Sequence, residues 1–193
     1  MSAEAPSKLI IITAPSGSGK STIVKYLMQE IPSLRFSVSA CTRPPRNGEK
    51  DGIDYHFMSL NEFEQKITED AFAEYEMVYQ GKYYGTLKSE LIHITQQGQV
   101  PLVDIDVQGA LRLKSYYQHR ALCLFIQAPS IAELENRLRA RGTETPESLA
   151  ERITKAEQEL SYASSFDTII VNDILTLACE QAKQHIEQFI QLP

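Results

Sequence analysis

Cysteine is scarce and oddly counted. The 193 residues hold three, Cys41, Cys123 and Cys179, and no two lie close enough for a metal-binding pair. That pattern argues against a disulfide framework and predicts three reduced thiols. Long hydrophobic runs are also missing: the composition is 42% hydrophobic, yet no apolar run approaches the roughly 20 residues a membrane helix needs. No charged-then-apolar secretory segment precedes the first strand pattern, so the expectation is a soluble, cytoplasmic protein with no membrane partner. A net charge of −6 argues against broad contact with a nucleic-acid backbone while leaving room for a local basic pocket. No internal repeat or low-complexity linker divides the chain. Its length suits one core carrying small inserted lobes.

What is present begins at Lys8 to Leu27, KLIIITAPSGSGKSTIVKYL. Leu9 to Ile12 reads as a buried strand, a Pro/Ser/Gly segment as a turn, and the stretch from about Gly19 as a helix. Strand, loop and helix in that order form the setting of a phosphate-binding loop. Loop amides converge on an anion, and the helix aims its free N–H groups and positive dipole end at the same point. The predicted cradle runs through Ala14, Pro15, Ser16, Gly17, Ser18, Gly19, Lys20, Ser21 and Thr22. Lys20 would reach the terminal phosphates and the Ser21 hydroxyl would face Mg²⁺. Ala14 stands where the strict pattern has glycine, which a strand-end backbone tolerates. A plain helix-capping turn would have no use for Lys20, since a cation is unfavourable at a helix N-terminus.

Phe36 to Cys41 alternates like a strand, and Ile53 to Met58 like another, with a Pro/Gly loop between them carrying Arg43, Arg46 and Lys50. Two arginines on a proline-held segment can clamp a second phosphate group. Asn61 to Ile67 reads as a short helix with Glu64 as capping partner. Glu74 and Glu76 then fall among several tyrosines before Gly85 and Thr86. A carboxylate there can accept from guanine N1–H and its 2-amino group, a pair of donors adenine lacks.

Residues 87 to 97 suit a helix, and Gln99 to Asp106 a buried strand with Pro101 at its start. That strand ends in Asp104, positioned to organise Mg²⁺ or its waters, and Asp106, which can face the substrate lobe or cap a helix. Leu122 to Gln127 is a further strand, followed by a helix from Ile131. The polar stretch after it carries Arg137, Arg139, Arg141 and Arg152 around Gly142 and Pro146, with Ser148 opening the next helix. This reads as a mobile lid delivering arginines to a transferring phosphoryl group, chiefly Arg141 and Arg152, with Arg137 at its hinge. Thr168 to Val171 is the last strand, Asn172 and Asp173 mark its exit, and a long helix runs toward Phe189.

Together APSGSGKST, SVSACTRPPRNGEKDGIDYHF, GKYYGT, VDIDVQG, RGTETPES and a late VND occur in an order that resembles the guanylate kinase family along nearly the whole chain. The resemblance implies an α/β, three-layer P-loop nucleoside monophosphate kinase fold, with a central parallel sheet, an inserted acceptor-binding lobe and a mobile lid. Its parts would be core at 1–36, 92–138 and 152–193, a GMP-binding lobe at 37–91 and a lid at 139–151. It implies reversible transfer of the γ-phosphoryl group of ATP, with Mg²⁺, to GMP and dGMP. By the same resemblance, Ser39, Arg43, Arg46, Tyr55 and Tyr84 hold the GMP phosphate, and Glu74, Thr86 and Asp106 recognise guanine. Ser21 and Asp104 serve Mg²⁺, Lys20, Arg43, Arg141 and Arg152 support transfer, Arg137 faces the donor phosphates, and Asn172 lies near the adenine of ATP. Partners would be these two small molecules and no nucleic acid, the chain acting as a monomer or homodimer.

Three departures from the family pattern stand out. Ala14 replaces a frequent glycine, Cys41 replaces a frequent small hydroxyl residue, and the stretch from Glu74 to Tyr84 runs one residue longer than in some relatives. Glu74 is the best match for the base reader, with Glu76 left open as the alternative. An adenylate or pyrimidine-monophosphate kinase is the neighbouring alternative, disfavoured by those carboxylates. A partner-binding module of the same fold would need neither Lys20 nor the arginine set.

Overall fold

The structure, a computed structural model, describes residues 6–140 and 146–192. The core is a five-stranded parallel sheet, built from β1 (Leu9–Thr13), β2 (Leu34–Phe36), β7 (Val100–Asp104), β8 (Ala121–Gln127) and β9 (Thr168–Val171) in the order β2-β7-β1-β8-β9. β1 is buried along its whole length, as a central strand covered on both faces must be, which explains its unbroken apolar run. On one face α1 (Lys20–Glu30) and α7 (Leu175–Gln191) pack over Ile10, Ile12, Leu124 and Ile170. On the other, α3 (Lys88–Gln96) and α4 (Val107–Tyr117) cover Leu9, Ile11, Val103 and Phe125. β1 lies between strands reached by opposite crossovers, so the crevice at its C-terminal end is where this topology takes ligands.

A second, four-stranded sheet stands beside that crevice, made of β3 (Ala40–Cys41), β4 (His56–Phe57), β5 (Phe72–Tyr79) and β6 (Lys82–Leu87) in the order β4-β3-β6-β5. Its own small core joins Phe63 of α2 (Leu60–Thr68) to Phe72 and Leu87, with the Phe63 and Phe72 rings stacked at 4.3 Å. A third apolar cluster joins α5 (Ile131–Ala140) to α6 (Pro146–Leu160) through Leu134, Leu138, Leu149 and Ala156. Among the described residues no helix is long and apolar enough to cross a membrane. All three cysteines are free and buried.

The single strand expected over Phe36 to Cys41 is two strands in different sheets. Ser37 N donates to Leu102 O at 2.9 Å, the last bond to the main sheet, and the chain then crosses to the second. Alternation of apolar residues does not say which sheet receives a strand. The α2 capping box is Ser59 with Glu62, not Asn61 with Glu64: Glu62 N donates to Ser59 Oγ, and Ser59 N donates to Glu62 Oε2 at 2.7 Å. α6 starts at Pro146, ahead of the expected Ser148, as the first-turn preference of proline allows. α4 has no counterpart in the sequence reading, although Val107, Ala110, Leu113 and Tyr117 recur at helical spacing and are all buried.

Candidate active site

The crevice opens as a cleft of about 560 Å³ with the loop from Ala14 to Ser21 at one end and Glu74, Tyr84 and Gly85 at the other. At the loop end the ligand-facing groups are main-chain. Gly17 and Gly19 have φ of 92° and 89°, the left-handed backbone that favours glycine, and Gly19 caps α1. Ala14 is not among the positive-φ residues, so its methyl sits without strain where relatives often have glycine. Asn172 braces the loop from behind, its Nδ2 donating to Ser18 O at 2.8 Å with the side chain only 4% exposed. A Cβ on Gly19 would meet that same Nδ2 at 2.2 Å. Asn172, read as a neighbour of the adenine, is thus buried against the loop backbone.

Lys20 pairs with Asp104 and donates to Ile105 O at 3.3 Å. Parallel pairing of β1 with β7 sets Asp104 level with Ile12, just before the loop, so the strand ends deliver the two charges to one place. Ser21 lines the cleft beside them. Arg152, on the first turns of α6, reaches the loop, its Nη1 donating to Ser16 Oγ at 2.8 Å. Arg137 instead holds Glu133 at 2.7 Å along its own helix. Arg141 lies outside the described residues, together with positions 142–145 of the expected lid between 139 and 151.

At the other end, β5 and β6 pair Glu74 with Thr86, whose Oγ1 donates to Glu74 Oε1 at 2.8 Å. Burial pushes the Glu74 carboxyl up to about 7; the Thr86 bond works against this and the nearby Asp106 charge adds to it. Asp106 caps α4 and also lines the cleft. Its Oδ1 caps α4 by accepting from Gln108 N at 2.8 Å and Gly109 N at 3.0 Å. Its Oδ2 turns toward Glu74: a Cβ on Gly109 would lie 2.8 Å from Glu74 Oε2 and 3.3 Å from Asp106 Oδ2. Glu76 is engaged elsewhere, in an ion pair with Arg112 at 2.5 Å. Of the two glutamates, Glu74 is the one that lines the main cleft.

Ser39, Tyr55 and Tyr84 line the cleft, and Arg43 lies behind Tyr55, its guanidinium 4.8 Å from the ring centre. Arg43 is 9% exposed and makes a two-point contact with Glu49, Nη1 to Oε2 at 2.6 Å and Nη2 to Oε1 at 2.7 Å. Arg46 is exposed, and its main-chain N donates to Glu49 Oε2 at 2.7 Å. Cys41 is fully buried with its thiol on Arg43 O, so it leaves the polarity of the cleft unchanged. Asp54, Lys155 and Glu159 line the cleft and Glu49 holds Arg43, and the sequence reading named none of the four. Lys155 and Glu159 follow Arg152 on α6 by three and seven residues, a spacing that puts all three on one helix face and was there to be read.

A nucleotide-type loop on one bank and a carboxylate-walled lobe on the other, both serving the switch point of a parallel sheet, define the P-loop nucleoside monophosphate kinase fold. The profile of the guanylate kinase family matches residues 6–189. The chain is 50% identical over 183 residues to the guanylate kinase of Bacteroides fragilis, covering 95% of this chain and 90% of the relative. It is 48% identical over 184 residues to that of Porphyromonas gingivalis, covering 95% and 98%. The crystal structure of guanylate kinase from Anaplasma phagocytophilum superposes with a TM-score of 0.75 at 26% identity, covering 96% of this chain and 87% of that one. The chain belongs to the guanylate kinase family. Its reaction is transfer of the γ-phosphoryl group of ATP to GMP, giving ADP and GDP.

Proposed function

We propose that the cleft works as two phosphate sites set end to end, donor at the loop and acceptor at the lobe. The observation that carries this reading is the spacing of unlike chemistry along one cavity: Lys20 and Asp104 beside the glycine loop, Glu74 and Tyr84 at the far wall. In the donor half, the loop amides and Lys20 hold the β- and γ-phosphates. Arg152, already on Ser16, Arg137 from the hinge and Arg141 from the lid neutralise the moving group. In the acceptor half, Ser39, Arg43, Arg46, Tyr55 and Tyr84 hold the GMP phosphate, while Glu74, Thr86 and Asp106 meet the guanine edge. Asn172 keeps the loop in shape. A phosphate oxygen of GMP forms the new bond to the γ-phosphorus as the bond to the bridging oxygen of ADP breaks. That oxygen is already ionised, so alignment and charge compensation replace a strong general base.

The donor set also suits Mg²⁺. Ser21 Oγ and the Asp104 carboxylate are hard oxygen donors at the loop, each accessible to the cleft. Held by Ser21 and Asp104, the ion would supply positive charge to offset that of the phosphates. Residues 37–91 and 139–151 serve as acceptor lobe and lid on a core formed by the rest. The enzyme works in the cytoplasm as a monomer or homodimer, with dGMP as a second acceptor. Initial rates with ATP-Mg²⁺ and GMP, dGMP, AMP, UMP or CMP test the division. GMP and dGMP should be the strongly favoured acceptors, and equal use of AMP would overturn the guanine reading of the lobe.

A further inference from the structure

We infer that Glu49 is a positioning residue for the acceptor: it takes one edge of the Arg43 guanidinium and thereby turns the other edge toward the GMP phosphate. The inference rests on the acceptor-site reading above. A guanidinium offers five N–H donors in a fixed plane. Glu49 occupies the Nη1/Nη2 end with bonds of 2.6 and 2.7 Å, and the second Nη1 hydrogen goes to Pro44 O at 3.0 Å. What remains is Nε–H and the outer Nη2 hydrogen, which lie side by side and match two oxygens of one phosphate, with the Tyr84 hydroxyl of the cleft wall also acting on this guanidinium. Nε is buried and finds no hydrogen-bond partner among the described residues. A donor left in that state is costly, and an incoming phosphate oxygen relieves the cost.

The rest of the surroundings leave Arg43 little choice of orientation. Its guanidinium is stacked 4.8 Å from the Tyr55 ring centre and 5.6 Å from that of Phe57, and Cys41 Sγ engages its carbonyl. Glu49 also accepts from Arg46 N at 2.7 Å, so one carboxylate sets the guanidinium of the first clamp arginine and the main chain of the second. The Arg43 and Arg46 contacts hold the Glu49 carboxyl down at about 2, so it stays ionised throughout the working range.

This arrangement predicts an effect of opposite sign to simple charge counting. Glu49 is an anion near the site of another anion, so electrostatics alone says that removing its charge should tighten GMP binding. If Glu49 acts by aiming Arg43, E49Q should instead raise the GMP KM roughly tenfold, with the ATP KM within about twofold of the parent. E49D, which keeps the charge on a shorter arm, should recover part of the loss. In an R43A background, adding E49Q should cost little more. The experiment measures both KM values, kcat and Tm for the parent, E49Q, E49D, R43A and the double variant. A GMP KM that is unchanged or lower in E49Q, alongside an impaired R43A, would overturn the inference and leave the acceptor site standing. Joint loss of ATP and GMP affinity with a large drop in Tm would also overturn it, in favour of a merely structural loop. An R43A enzyme with parental GMP KM would sink the acceptor-site reading itself.

Discussion

The bank proposed for the donor is a loop shaped by two left-handed glycines and one buried asparagine, on the end of a strand sealed inside the main sheet. The bank proposed for the acceptor is built of side chains from the β3–β4 loop, β5, β6 and the cap of α4, two of them held by another side chain: Glu74 by Thr86, Arg43 by Glu49. The first construction is local in sequence and tolerant of side-chain change wherever no special backbone is needed, as Ala14 illustrates. The second depends on several separate elements meeting, and the proposal gives the choice of base chiefly to one carboxylate, Glu74. In the proposed division the former meets only phosphate, common to every nucleotide, while the latter must also read the base, which differs among them.

The sharpest way to break this contrast is K20A. Lys20 is the side-chain charge at the centre of a backbone site, so its loss should lower kcat by about 10²- to 10³-fold, the scale of removing one preorganised transition-state contact. Its Tm should move little, since a lysine near a helix N-terminus adds little stability. Near-parental turnover at saturating ATP-Mg²⁺ and GMP would end the donor assignment.

E74Q probes the other bank. Replacing one carboxylate oxygen by a donor should lower kcat/KM for GMP by roughly tenfold or more and narrow the preference for GMP over AMP, with the ATP KM unmoved. Acceptor kinetics with both nucleotides check it, and retained selectivity would remove Glu74 as base reader. N172A asks whether the donor loop depends on its brace. Loss of one buried hydrogen bond, at about 1–1.5 kcal/mol, corresponds to roughly a five- to tenfold rise in ATP KM if the loop relaxes. A fall in Tm with ATP KM unchanged would make Asn172 a core residue only.

The smallest effect is a pH dependence confined to the acceptor bank. The folded, ligand-free protein holds the Glu74 carboxyl at about 7, above its ordinary 4.5, so below that pH it is protonated and must lose the proton to accept from guanine. The GMP KM should therefore rise by about threefold from pH 7.5 to 6.5 beyond any change in E74Q, which cancels titration of the substrate phosphate. The same raised value makes the free protein bind more protons than its unfolded chain between 4.5 and about 7. Its stability relative to E74Q thus falls as pH rises through that window and is level above it. Parallel pH profiles for the two proteins would show that Glu74 stays ionised.

The donor bank was the more legible of the two because its parts are consecutive: strand, loop, lysine and helix follow within Leu9 to Glu30. Asp104 could be read from its strand alone. The acceptor bank was harder because strand alternation puts Glu74 and Glu76 on the same face of β5, and only α4 separates them. Gly109 leaves space at Glu74, whereas Arg112, nearly one turn on, takes Glu76. With α4 unread, only the family resemblance favoured Glu74 over Glu76. Glu49 was missed for a related reason: a carboxylate in a polar loop looks solvated until the backbone folds it onto Arg43. The split of Phe36 to Cys41 between two sheets turns on one hydrogen bond, from Ser37 to Leu102, that no periodicity announces.

The bond between Ser18 and Asn172 joins positions 154 residues apart. The nucleotide loop, for all that its motif is the most recognisable passage in the chain, is therefore not a portable module. During synthesis it must wait for the last strand to emerge before its final support is present. An N-terminal fragment carrying the entire motif but ending at 171 would lack the side chain that fixes the loop carbonyl. Grafting the motif into another sheet would require importing its distant partner as well, and with it the fit between an amide and a glycine that has no Cβ.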